Sequence, residues 1–500
     1  MSLKATLARS FAKWTARSEG RKAIAGLARQ EACFNALIAK GAHTAFGRDH
    51  GVHEGMSVEA FQAAVPVRDY EGLKAYVDRA VAGEHDVLWP GQPLYFCKTS
   101  GTTSGAKFIP LTSDSMPNHL NSARNALLQF IANSGRADFL DGKMIFLQGS
   151  PLLTKTSGGI PMGRLSGIVA HHVPDYLQAN QMPSYTANCI EPWEAKIDAI
   201  VEETRDADLR LISGIPSWVQ NYFERLLEVT GAKSVREVFP NLELFVYGGV
   251  AFEPYRERFN ALVGGEVPTV ELFPASEGFF AYQDTLESSG LRLTIDEGIF
   301  YEFIPAESYF DENPPRLTLA EVELGVNYAL VVTTNAGLWA YDVGDTVKFT
   351  SKTPYRLVVT GRIKHFTSAF GEHVIAEEVE SAIQDAMASH GGTVAEFHVA
   401  PEVNPEEGLP YHEWLIEFAE PPADLEGFAR AVHSGVAERN PYYRDLIQGS
   451  ILQPAKVTSV SSGSFQRAMD NLGKLGGQNK PPRLANARDF AAILLKVQDA

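Results

Sequence analysis

Apolar and polar positions divide this chain into regimes. From the start to about Lys40, apolar side chains recur at helical spacing, as at Phe11 and Trp14 and again at Ile24 and Leu27, so the chain is expected to open on helices. After Leu94 the pattern changes. Short apolar runs bounded by Gly and Pro alternate with longer amphipathic stretches, which predicts an α/β body. The runs at 143–147, 209–212, 242–247 and 270–273 read as strands, and the segments 193–204 and 217–230 as helices between them. A further regime begins near Gly361. Its order is a helix at 377–387, strands at 394–401 and 413–418, a helix at 425–439, a strand at 450–457 and a last helix at 485–497. That order suits a small α+β lobe of about 140 residues. Residues 1–360 are therefore expected to form a large N-terminal domain of mixed sheets and helices. Residues 361–500 are expected to form the smaller lobe.

Composition narrows the classes of function. The net charge of −17 makes general nucleic-acid binding a poor fit, because neutralising phosphates takes Lys and Arg. A nucleotide can still bind where a local loop outweighs the global field. Cys33, Cys97 and Cys189 are widely spaced and form no CxxC pair, so neither a disulfide framework nor a zinc cluster is expected. The opening segment lacks the continuous apolar run of a secretory signal, and no stretch approaches the roughly 18 apolar residues of a membrane span. No membrane partner is expected and the cytoplasm is the expected compartment. The Arg-rich, acid-poor start keeps organelle targeting open as an alternative.

Five motifs carry candidate chemistry. Lys98–Lys107 packs five hydroxyls, two glycines and two lysines into ten residues after an apolar segment at 94–97. Glycines let backbone N–H groups converge, and hydroxyls and ammonium groups add donors, which is what a polyphosphate needs. A flexible surface loop is the alternative. In the stretch from Glu271 to Gly278, Glu277 follows an apolar strand beside Ser276, either as a Mg²⁺ ligand or as a solvated loop carboxylate. In Tyr341–Asp345, Asp345 is either a ribose acceptor or a turn residue after Gly344. Gly361 with its neighbouring charges forms a candidate hinge, and Arg362 is a candidate nucleotide contact. His365 and His373 follow, as candidate bases or as solvated side chains. Near the end, Lys480 sits in a glycine-rich basic loop. It is either a mobile cation for a developing negative charge or a solvated lysine.

Taken in order, these motifs resemble those of the adenylate-forming superfamily of acyl-CoA synthetases, luciferases and peptide-synthetase adenylation domains. Within it the chain resembles the auxin-responsive Gretchen Hagen family of acyl acid amido synthetases, in a bacterial-like branch, over about Ser100 to Arg483. The resemblance implies a phosphate-binding set of Ser100, Gly101, Thr102, Thr103 and Lys107. It places Glu277 on Mg²⁺, Ser276 beside it among the nucleotide-binding residues, Asp345 on the ribose, and Gly248 of Tyr247-Gly248-Gly249 near the adenine. It sets Arg362 at the hinge of a mobile C-terminal lobe and makes Lys480, with Glu277, catalytic. Lys364 departs from the aspartate common at that hinge. Glu372-His373 suits a bacterial branch better than the plant one.

The resemblance further implies ATP and Mg²⁺ as cofactors and a carboxylic acid and an amine, often an amino acid, as partners. The acid is adenylated with loss of pyrophosphate, and the acyl group passes to the amine with loss of AMP. A monomer is expected. Segments 148–153, 159–172 and 215–222 are candidate acid-pocket walls or plain core. A coenzyme A ligase of the same superfamily is the nearest rival, disfavoured by an acidic small lobe with no basic cluster for the coenzyme's phosphates. A catalytically silent adenylate-binding protein is the other, disfavoured by intact Lys107, Glu277, Asp345 and Lys480.

Overall fold

The computed structural model describes residues 3–102, 105–173, 178–190, 193–250, 252–286, 290–363, 366–367, 369–372, 374–472 and 481–497. Its backbone is a twelve-stranded mixed sheet. One half is parallel, built from Lys143–Phe146, Leu209–Ser213, Leu244–Gly248 and Thr269–Ala275. Helices Trp193–Thr204, Pro216–Thr230 and Glu253–Val263 lie in the connections between those strands. The helix Pro216–Thr230 shows why such segments start and stop where they do. Proline at its first position cannot waste an amide, and Gly231 follows in the left-handed conformation that closes the last turn. The other half is antiparallel and runs through Gly278–Tyr282, Leu291–Leu293, Tyr355–Arg362, Tyr341–Lys352, Asn327–Thr334 and Ile299–Pro305.

The described residues of the segment read as a phosphate loop lie on the two arms of a strand pair. Strand Tyr95–Thr102 pairs antiparallel with Gly105–Leu111, and Thr102 stands opposite Gly105. This hairpin starts a separate four-stranded sheet.

The smaller C-terminal domain follows the expected order closely. Helix Ala376–His390 leads to paired strands Thr393–Glu402 and Tyr411–Glu420, then helix Leu425–Arg439. The next strand is not where patterning put it. Ser450 has a positive φ of 52°, and Ile451 and Leu452 are buried as a turn that caps the preceding helix. The strand itself is Lys456–Val460, parallel to Tyr411–Glu420. The preceding helix, Pro441–Gln448, was not anticipated, although Asn440 followed by Pro441 is a helix-start signal. The last helix begins at Asp489, later than expected. One buried cluster joins the parallel half of the large domain to the small one, through Tyr255, Phe370 and Trp414.

The two N-terminal helices are Leu3–Ile24 and Gly26–Gly41. The first lays Ala5, Ala12, Thr15 and Ala23 on the body, so Phe11 and Trp14 point away from it.

Candidate active site

The parallel strands all end on one edge of the sheet. The segments that follow them there begin at Leu147, Gly214, Gly249 and Ser276. Ligands of open α/β sheets bind at such carboxyl ends, where loops rather than ladders fill the space. Ser276 and Glu277 are the two central residues of a tight turn, since Ala275 pairs with Gly278 across it. Both are half-buried.

The hairpin and this turn meet at Cys97. Its buried thiol is pushed well above the ordinary range, first by burial and then by the charge of Glu277, while a hydrogen bond from the Ser276 side chain pulls the other way. The two phosphate-associated motifs, separated by about 170 residues of chain, are thus neighbours. Lys107 lies on the second arm of the hairpin, opposite Thr99, and is half-buried. Ser100, Gly101 and Thr102 lie on the first arm by backbone position. Thr103 lies outside the described residues.

Gly248 ends the strand Leu244–Gly248 beside Leu272. A Cβ there would come within 2.6 Å of the Leu272 carbonyl, so strand packing alone requires glycine. Next to it, Tyr247 donates to Glu271 at 3.4 Å. Burial raises the pKa values of both groups.

Asp345 is not in a turn. It is buried inside strand Tyr341–Lys352, and its register partner is Arg362. Gly344 just before it takes a φ of 85°, and its amide donates to Asp342 Oδ1 at 2.8 Å. Tyr309 donates to the other oxygen of Asp342. Strands Leu291–Leu293 and Tyr355–Arg362 separate Asp345's strand from the Glu277 hairpin. Of Arg362 only the backbone is described, at the last position of its strand. Lys364, His365, His373 and Lys480 lie outside the described residues.

Patterning missed the contact between the two domains. Tyr442, on the unanticipated helix, donates to the Lys98 carbonyl at 3.3 Å, on the first arm of the hairpin Tyr95–Leu111. Arg164 covers the Tyr442 ring at 4.7 Å and pairs with Asp445 at 3.3 Å. The connecting segment is clamped at both ends. Tyr255 of the large domain donates to the Ala369 carbonyl at 2.8 Å, and His412 of the small domain donates to the buried Glu372 carboxylate at 2.8 Å. Among the described residues no group of three or more His, Cys, Asp or Glu is placed to hold a metal. A single carboxylate opposite a phosphate hairpin still suits Mg²⁺, which takes one or two carboxylates and completes its shell with substrate phosphates and water.

This architecture is that of adenylate-forming enzymes. The solved structure of an acyl acid amido synthetase, AtGH3.15 in complex with 2,4-DB, superposes with a TM-score of 0.61 at 17% identity, covering 96% of this chain and 95% of that one. A 2-hydroxyisobutyryl-CoA ligase in complex with 2-HIB-AMP and CoA superposes with a TM-score of 0.56 at 16% identity, over 95% and 92% of the two chains. Sequence models of the GH3 family's N-terminal, central and C-terminal domains match residues 26–189, 292–362 and 377–489. The chain belongs to the GH3 family. It is 24% identical to a probable indole-3-acetic acid-amido synthetase of Oryza sativa subsp. japonica, over 93% of this chain and 89% of that protein. It is 22% identical to the jasmonoyl–L-amino acid synthetase JAR4 of Nicotiana attenuata, over 64% and 66% of the two chains.

Proposed function

We propose that this protein is an ATP-dependent acyl acid amido synthetase. The approach of the Ser276–Glu277 turn to Cys97, on the same strand as Ser100, supports the reading, because it sets the candidate phosphate segment near the candidate metal carboxylate. The substrate carboxylate attacks the α-phosphorus of ATP and pyrophosphate leaves in line. Hairpin amides and Lys107 bind the phosphates, and Asp345 accepts from the ribose hydroxyls. Glu277 would hold Mg²⁺, which would supply charge neutralisation at the phosphates. Lys480 stabilises charge as the acyl-adenylate forms. An amine then attacks the acyl carbon, the amide forms and AMP leaves.

The residues 361–500 act as a mobile lobe in this scheme. Rotation about Arg362 to Lys364 withdraws Lys480 and opens the path for the amine. It must part Tyr442 from Lys98 and Arg164 from Asp445, both weak surface contacts that can be remade. The protein acts as a monomer in the cytoplasm. The testing experiment is a matrix of carboxylic acids against amino acids and other amines, read by AMP release and product mass. Acid-dependent pyrophosphate exchange followed by amide formation is expected. AMP release that needs coenzyme A and yields a thioester overturns the acceptor assignment. ATP binding without exchange for any acid overturns the adenylation assignment.

A further inference from the structure

The N-terminal helix Leu3–Ile24 is amphipathic in the reverse sense to a packing helix. Its small residues face the body: Ala5 and Ala12 are fully buried against the helix Met116–Ser134 and the elements around it. Its large apolar residues face outward, with exposures of 77% at Leu3, 62% at Leu7, 47% at Phe11 and 65% at Trp14. At about 100° per residue these four fall within an arc of about 80°, over an axial length of about 16 Å. Phe11 and Trp14 stack on each other with centroids 5.8 Å apart. Ile24 and Leu27, where this helix meets the next, are exposed as well. A surface helix that only packed would turn these residues inward.

The charge of the same helix runs against that of the chain. It carries six basic residues and one acidic one, in a protein of net charge −17. Three of the six are tied down on the body side. Lys4 donates to the Leu140 carbonyl at 2.7 Å, Arg9 pairs with Asp138 at 3.3 Å, and Lys22 reaches Asp296 at 4.0 Å. The other three, Lys13, Arg17 and Arg21, are exposed. By helical angle Arg21 falls on one edge of the apolar stripe, with Arg17 about 40° and Lys13 about 80° beyond that edge.

We propose that this face docks the protein on an anionic phospholipid surface. Leucine, phenylalanine and tryptophan enter the boundary between headgroups and acyl chains, and Lys13, Arg17 and Arg21 meet the lipid phosphates. The helix lies in the interface and does not cross it. No helix among the described residues is long and apolar enough to span a membrane. A two-fold contact with a second copy fits the face less well, since it would set the same cationic stripe against itself.

The test is co-sedimentation of the full chain with phosphatidylcholine vesicles, with and without about 30% phosphatidylglycerol. Binding is expected only to the anionic vesicles, with a blue shift of emission that Trp14→Phe removes. The double variant F11S/W14S should bind at least about tenfold more weakly, from the apolar area withdrawn. The charge-reversed K13E/R17E/R21E should bind no better than to neutral vesicles. All these side chains are exposed, so unchanged circular dichroism and melting should accompany the loss. Equal sedimentation of the native chain and F11S/W14S overturns the proposal. So does a concentration-dependent dimer that F11S/W14S abolishes in the absence of vesicle binding, which would assign the face to a second copy.

Discussion

Asp345 and Arg362 are register partners on adjacent antiparallel strands, so the carboxylate proposed to hold the ribose stands level with the last residue of Tyr355–Arg362. An acceptor built into a buried strand is held without the entropy cost of a loop. Asp345→Asn should therefore weaken nucleotide use specifically. We expect kcat/KM for ATP to fall about tenfold to a hundredfold, the scale of one hydrogen bond to a charged group. The KM for the carboxylic acid should hardly move. Steady-state pyrophosphate exchange at varied ATP checks this, and an equal loss in both substrates would contradict the ribose role.

Glu277 and Lys480 serve the same adenylation step of the proposed scheme through different groups, one through a metal and one through its own charge, and their variants should separate. Glu277→Gln should lower exchange and raise the Mg²⁺ concentration needed for half-maximal rate. Lys480→Ala should lower exchange by about a hundredfold or more, the scale for losing one preorganised charge-stabilising donor. It should spare amide formation from a synthetic acyl-adenylate, because that step no longer displaces pyrophosphate. Parallel loss of both half-reactions would remove Lys480 from its adenylation role.

Much of the fold was legible because its segments obey local rules. Trp193–Thr204 and Leu425–Arg439 have the bounds their apolar periodicity predicts. Residues whose environment is non-local were harder to read. Ile451 and Leu452 look like strand residues but are buried by a turn that no periodicity announces. Phe11 and Trp14 have helical spacing, yet spacing cannot say which face is inside when alanines cover the other. The site motifs could be recognised singly in the chain. That Ser276 and Glu277 would meet Cys97, or Tyr442 would meet Lys98, depends on pairings over 170 to 350 residues, which no short window contains. Gly248 shows the opposite lesson, since its need for glycine follows from the Leu272 carbonyl before any nucleotide is invoked.

The pair of Glu372 and His412 holds the connecting segment to the small domain, and both side chains are almost wholly buried. Glu372 Oε2 also accepts from the Phe370 amide at 2.8 Å. His412→Ala would leave a buried carboxylate short of its partner, at a cost of about 3 kcal/mol or more. Glu372→Gln keeps the shape and the acceptor for the Phe370 amide, and its NH2 can donate to the other imidazole tautomer of His412, so it should cost clearly less. Trp414, buried at the centre of the small domain, reports on its unfolding. We expect an early fluorescence transition in denaturant for His412→Ala and a milder shift for Glu372→Gln. Identical shifts would mean that volume, rather than the carboxylate–imidazole contact, holds the segment.

Glu297 gives a pH dependence with a definite sign. Burial raises its pKa to about 7, with Lys22 opposing and Glu19 and Asp296 adding to the rise. Its carboxyl therefore binds a proton more tightly in the folded chain than in the unfolded one, where the ordinary value is 4.5. The folded state gains fully from this below about pH 4.5, and the gain is lost as pH rises through about 7. Above that, a charged carboxylate must be kept in a poorly solvated site, at a cost on the order of 2 kcal/mol after screening by the solvent that still reaches it. Glu297→Gln removes that cost. The variant should melt higher than the native chain at pH 8 and match it near pH 4. Thermal scans at both pH values check this, and a constant offset between the two proteins would place the effect in packing rather than in the proton.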